Sequence, residues 1–237
     1  MNLVLLFDED FVAPRRVVLR GRRRDHVHAV HRAAAGRSLA VGRLGGGVGR
    51  ATVVRLDEEE LELALEDDLQ SAPPPKLPLT LVLALPRPKT LRRVLQAAAT
   101  LGVARLFLVN GWRVEKSFWK SPALALAALR RELCLGLEQA RDTVLPLVET
   151  RRLLKPFCDK ELDLLSAGSR KLVADPRATT LCPRAVEGAV TLLLGPEGGF
   201  IELELDLFAR HGFESVTLGP RPLRVEQALP ALVARLT

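Results

Sequence analysis

Cysteine is scarce in this chain of 237 residues. Cys134, Cys158 and Cys182 are odd in number and far apart, which argues against a disulfide framework and a zinc-type spacing and fits reduced, cytosolic thiols. No run of about 20 uninterrupted apolar residues occurs, so no transmembrane helix is expected. The first residues, Met1 to Asp8, have no basic region and no small-residue cleavage site, so no secretory leader is expected. Internal repeats and low-complexity tracts are also missing. His26, His28 and His31 stand at i, i+2 and i+5. They do not share one helical face, so no metal site is expected there. Lysine is scarce beside arginine, seven against 28. Arginine forks suit phosphates and base edges, although genomic base composition produces the same excess. The net charge of +7 and pI near 9.9 favour an anionic partner.

What is present divides at Ser71-Ala72-Pro73-Pro74-Pro75-Lys76, a stiff extended spacer. Residues 1–72 are read as one domain, 73–76 as linker and 77–237 as a second domain. Before the linker, short apolar or alternating runs at 17–20, 39–43, 51–56 and 61–65 are separated by turn residues, the pattern of a small β-barrel. Residues 24–32 between them read as a short helix ending near Gly36. The glycine-rich stretch Gly42 to Gly49 lacks a following Gly-Lys-Ser/Thr and reads as a hairpin. A nucleotide-phosphate enzyme built on it is a remote alternative. Asp57 to Glu60 reads as a solvated acidic turn.

After the linker, strands and helices alternate, which implies a parallel sheet covered on both faces. Strands are expected at 77–85, 105–109, 144–148, 171–176, 190–194 and 215–218. Helices are expected from Thr90, acting as cap, to Leu101, from Ser121-Pro122 to about Arg141, and from about Gln227 to Leu236. Pro230 is expected in the first turn of the last helix. Within this part, Leu192-Leu193-Leu194-Gly195-Pro196-Glu197-Gly198-Gly199-Phe200 stands out: an apolar strand is broken at once by a glycine loop, and a helical pattern follows. In open α/β sheets, ligands bind outside the carboxyl ends of strands. About twenty residues on, Thr217-Leu218-Gly219-Pro220-Arg221-Pro222-Leu223-Arg224-Val225-Glu226-Gln227-Ala228 repeats the grammar. Two glycine–proline loops on neighbouring strands, the second followed by Arg-x-Glu, are far more specific than one.

These two blocks resemble the RsmE-type 16S ribosomal RNA (uridine-N3)-methyltransferases of the SPOUT (α/β-knot) superfamily, with their L-L-x-G-P-E-G-G-F and L-G-x-R-I-L-R-x-E-T-A. The first block is intact; the second departs at Pro222, Val225 and Gln227. Weaker matches lie at 97–103 and 137–143, where Asp142 stands in place of a usual arginine. The resemblance implies a trefoil-knotted C-terminal domain, an N-terminal PUA/OB-like barrel that binds RNA, and a homodimer in the cytoplasm. S-adenosylmethionine would bind through Leu172, Ala174, Leu194, Gly195, Pro196, Glu197, Gly198, Gly199, Leu218, Gly219, Pro220, Leu223 and Ala228. Arg224 would stabilise charge on the uracil, with Glu226 as proton acceptor or as partner of Arg224. Glu197 is read as shaping its loop. Arg15, Arg16, Arg20, Arg22, Arg23, Arg24 and His26, with Arg32 and Arg37 nearby, would hold RNA, the alternative being a solvated surface. Surplus apolar residues on the last helix, Leu229, Leu232, Val233 and Leu236, would serve the dimer or the chain's own core. The departures keep two alternatives open: a silent RNA-binding or ribosome-assembly factor, and a methyltransferase of another RNA nucleotide.

Overall fold

A computed structural model describes residues 2–31 and 34–237, without the side chains of Val30 and His31. The chain forms two compact units: residues 1–75 with 134–145, and residues 76–133 with 146–237. Arg32 therefore lies outside the described residues, as does the side chain of His31.

The first unit holds β1 (Val4–Leu6), β2 (Phe11–Ala13), β3 (Arg16–Arg20), α1 (Arg22–His31), β4 (Ser38–Arg43), β5 (Val48–Leu56) and β6 (Glu60–Leu65). The strands form one sheet in the order β1-β4-β5-β6-β3-β2. β1 and β2 are its edges among the described residues, so it is a curled sheet rather than a closed barrel. Alternation decides the faces. Leu61, Leu63 and Leu65 point into a core with Val17, Leu19, Val41 and Val53. Glu60 and Glu62 point out towards β3, where Arg20 stands directly opposite Glu60. The glycine-rich stretch is the β4–β5 hairpin. A Cβ on Gly47 would collide with the Leu69 carbonyl. The glycine there serves a close backbone approach rather than a phosphate.

The second unit holds β7 (Leu77–Ala84), α2 (Pro88–Thr100), β8 (Val103–Val109), the start of α3 (Leu126–Ala140), β9 (Leu147–Arg151), α4 (Leu154–Phe157), a π turn (Cys158–Leu162), α5 (Asp163–Leu165), β10 (Arg170–Ala174), β11 (Val190–Leu194), α6 (Glu202–Arg210), β12 (Glu214–Val216) and α7 (Val225–Leu236). All six strands run parallel in the order β12-β10-β11-β7-β8-β9. Every residue of β11 is buried, as a central strand covered on both faces requires. The chain leaves β11, forms α6, and returns on the far side of β10 as β12. Strand order therefore reverses beside the carboxyl ends of β10, β11 and β12.

Several expected boundaries move. α2 starts at Pro88 after Arg87, because proline at the first helical position gives up no hydrogen bond; Thr90 is not its cap. Ser121 caps only a 3₁₀ turn at Pro122–Leu124, and α3 begins at Leu126. β9 follows Pro146 instead of including it, since proline cannot donate to a sheet ladder. The helical stretch from Leu154 to Leu165 has no expected counterpart. α7 starts at Val225, so Pro230 is its sixth residue and removes an interior hydrogen bond rather than a free first-turn donor.

Candidate functional site

The strand switch creates a cavity of about 330 Å³, within the size range of small-molecule sites. Its floor is the end of β10 (Ala174, Asp175, Pro176) and the end of β11 (Leu194, Gly195). One wall is the first loop at Pro196, Glu197 and Gly199. The other is Val216 to Gly219 with Arg221 to Arg224, closed by Val225, Ala228 and Leu232 of α7. Leu194, Val216, Leu218, Leu223 and Leu232 make the lining predominantly apolar. Gly199 and Gly219 have φ of +69° and +121°, and a Cβ on either would meet nothing within 4 Å. Bare backbone therefore faces open space at both loops, where a flat ligand can approach closely.

The first loop is held from outside. The Glu197 carboxylate accepts the Arg87 backbone N–H at 3.1 Å. Gly198 faces away from the cavity: its Cβ position lies 3.0 Å from Arg113 Cδ, and the Arg113 guanidinium donates to the Gly198 carbonyl. Buried Glu204 accepts the N–H of Ile201 at 2.9 Å and of Trp112 at 2.7 Å. Together these bonds fasten the segment after β8 to the loop and to the start of α6. Arg177 does the same from β10, donating to Asp175, to Glu202 and to the Phe200 carbonyl, each at 3.1 Å.

The second loop ends in Arg224, the residue just before α7. Its carbonyl accepts from the N–H of Gln227 at 2.9 Å and of Ala228 at 2.8 Å, so its backbone is anchored. Arg224 lines the cavity and is exposed, and its guanidinium has no polar partner among the described residues. Glu226 turns the other way and accepts from Arg93 Nη1 of α2 at 3.1 Å. The expected Arg224–Glu226 pair does not form, and Glu226 does not line the cavity.

Of the expected cofactor residues, Ala174, Leu194, Gly195, Pro196, Glu197, Gly199, Leu218, Gly219, Leu223 and Ala228 line the cavity. Leu172 is fully buried within β10; it, Gly198 and Pro220 do not line it. Asp175, Thr217 and Arg221 are lining residues that sequence reasoning passed over. Asp175 had a usable signal, since it directly follows the expected strand end.

The N-terminal arginines are engaged. Arg23 makes a paired contact with buried Asp10, with Nη2 to Oδ1 at 2.7 Å. Arg22 does so with buried Glu138, at 2.7 and 3.0 Å. Arg24 donates through Nε to the Asp57 carbonyl at 2.7 Å. Arg15 faces Asp68, Arg16 faces Glu62, and Arg20 faces Glu60. His26 is partly buried within α1 and also has a partner.

Residues 73–237 match the model of the RNA methyltransferase domain. A ribosomal RNA small subunit methyltransferase E from Treponema pallidum is 33% identical over 99% of this chain and 90% of its own length. The chain belongs to the RsmE-type RNA methyltransferases. The family domain contains both glycine–proline loops and every residue lining the cavity. An Aquifex aeolicus relative of the same name is 27% identical over 78% of each chain. Among solved structures, methyltransferase E of Neisseria gonorrhoeae, bound to S-adenosyl methionine, superposes with a TM-score of 0.73 at 23% identity over 98% of this chain and 95% of that one. A Legionella pneumophila protein holding the same cofactor reaches 0.73 at 24% identity, over 99% and 96%. These two share the fold.

Proposed function

We propose that this methyltransferase moves a methyl group from S-adenosylmethionine to N3 of a uridine in 16S, small-subunit ribosomal RNA. The observation that carries the reading is the cavity at the reversed strands, lined by both family loops. Its residues fit the cofactor: bare backbone at Gly199 and Gly219 and apolar walls at Leu194, Leu218 and Leu223. When bound, the cofactor supplies an electrophilic methyl group on a positive sulfonium. The acceptor nitrogen gives its proton to water before or as it gains the methyl, and negative charge develops on the flanking uracil oxygens as the proton leaves. Arg224, anchored by its backbone and unpaired at its head among the described residues, is placed to stabilise that charge. Glu226 ties α7 to α2 through Arg93 rather than taking part in the transfer.

The chain threads a trefoil knot in this reading. The N–H groups of Ala185 and Val186, between β10 and β11, donate to the carbonyls of Arg235 and Leu236 at the end of α7, at 3.0 and 2.8 Å. That packing suits a tail passed through an earlier loop. We also read the protein as a cytoplasmic homodimer. The apolar face of α7 does not provide the interface, since Leu229, Leu232, Val233 and Leu236 are buried within one chain. A groove of about 340 Å³ with Leu203, Leu207 and a Trp112 that is 78% exposed is the better surface. Titration calorimetry tests the cofactor site. Ala228→Phe fills the slot from a helical position without backbone strain and should abolish S-adenosylmethionine binding in a folded protein. Undiminished binding places the cofactor elsewhere.

A further inference from the structure

The excess positive charge of this protein does not reside where its arginines crowd. Residues 1–75 carry eleven arginines and no lysine against twelve aspartates and glutamates, a net −1. With 134–145 included, the first unit has a net −2, and the second unit carries the balance, +9. Exposed ion pairs open readily, so pairing alone does not disqualify an arginine from meeting RNA. Net charge is not removed by opening a pair, and a unit of net −2 contributes less to drawing in a polyanion over distance than one of net +9.

The second unit presents cations of another kind. Arg87, just before α2, Lys89, in its first turn, and Arg221, in the second loop, have exposed side chains that make no hydrogen bond or ion pair among the described residues. They share one rim. The Arg87 N–H is bonded to the carboxylate of Glu197, which lines the cavity together with Arg221. The Arg93–Glu226 bond holds α2 against the start of α7, two residues beyond Arg224. Side chains this long and unengaged, at the entrance to a catalytic cavity, suit phosphate oxygens on either side of an inserted nucleotide.

We infer that the RNA backbone is gripped by Arg87, Lys89 and Arg221 at the cavity mouth, and that the N-terminal arginines are structural. This rests on the proposed methyl transfer to RNA. The test measures binding of a small-subunit ribosomal RNA transcript by the full chain across a salt series. The Arg87→Ala, Lys89→Ala, Arg221→Ala triple variant should bind at least about tenfold more weakly, with a salt slope shallower by about two to three. The Arg16→Ala, Arg20→Ala, Arg50→Ala triple variant, in which each arginine is the more exposed member of its pair, should keep the wild-type slope. The reverse pattern, or equal loss in both, overturns the inference, as does a wild type that does not bind the transcript. Calorimetry with S-adenosylmethionine on each variant separates loss of fold from loss of RNA. RNA binding without any methyl transfer would sink the functional reading and leave the cationic rim standing.

Discussion

The two units put the same residue type to opposite uses in one setting each, although the second unit also has fasteners in Arg113 and Arg177. In the first, arginine is an internal fastener: Arg22 and Arg23 neutralise carboxylates that are themselves buried. In the second, Arg224 is left at a cavity edge with its backbone fixed and its head unpaired among the described residues. A count of arginines along the chain sees no difference between them. What separates them is the acid beside each one, and whether burial demands the pair.

The comparison is tested most severely at its two extremes. Arg224→Ala should lower turnover by about 10²-fold, the usual cost of losing one donor to developing charge, with S-adenosylmethionine affinity little changed. Arg224→Lys should recover only part, since an ammonium lacks the planar fork. Steady-state kinetics beside calorimetry reads both. At the other extreme, Arg23→Ala strands a carboxylate that is 6% exposed. Breaking a buried pair costs about 3–5 kcal/mol, so chemical denaturation should show the first unit weakened while the second still binds cofactor.

Smaller effects sharpen the picture. Arg113→Ala removes the guanidinium that holds the Gly198 carbonyl. Cofactor affinity should fall by about tenfold, in line with about 1.5 kcal/mol for a charged hydrogen bond, with turnover at saturation nearly kept. A fall in turnover alone would mean that Arg113 serves the acceptor side instead. Glu226→Gln opens an interhelix pair in which Arg93 is exposed. It should cost at most about 1 kcal/mol of stability and leave the rate per folded molecule intact. A rate loss without a melting shift would restore Glu226 as a proton acceptor. Smallest of all, burial, with Asp159 and Asp163 adding to it, pushes the Cys158 thiol up to about 12. It stays protonated at neutral pH, and thiol reagents should leave it unmodified in the native protein.

Much of this was legible beforehand, for physical reasons. β11 is five apolar residues closed by Gly-Pro, a pattern with one simple solution in an α/β sheet. The two loops repeat each other, and that repetition located the cavity. The direction in which side chains leave a loop was not legible. Gly198 sits between two residues that face the cavity and yet turns to Arg113, because the loop reverses at Gly199. Glu226 follows Arg224 by two residues and faces α2 instead, because Arg224 still has extended backbone, with φ −66° and ψ 153°, while Glu226 lies inside the first turn of α7. The arginine cluster misled because charge pairing in a sheet is set by register. Arg20 meets Glu60 across forty residues of sequence, a partnership that no local window contains.

Nucleoside mass spectrometry of small-subunit ribosomal RNA, incubated with the protein and S-adenosylmethionine, tests the central claim most directly. The expected result is 3-methyluridine with the wild type, and about a hundredfold less per unit time with Arg224→Ala of equal cofactor affinity. A methyl group on a ribose or on another base, or 3-methyluridine formed equally fast by Arg224→Ala, would contradict it.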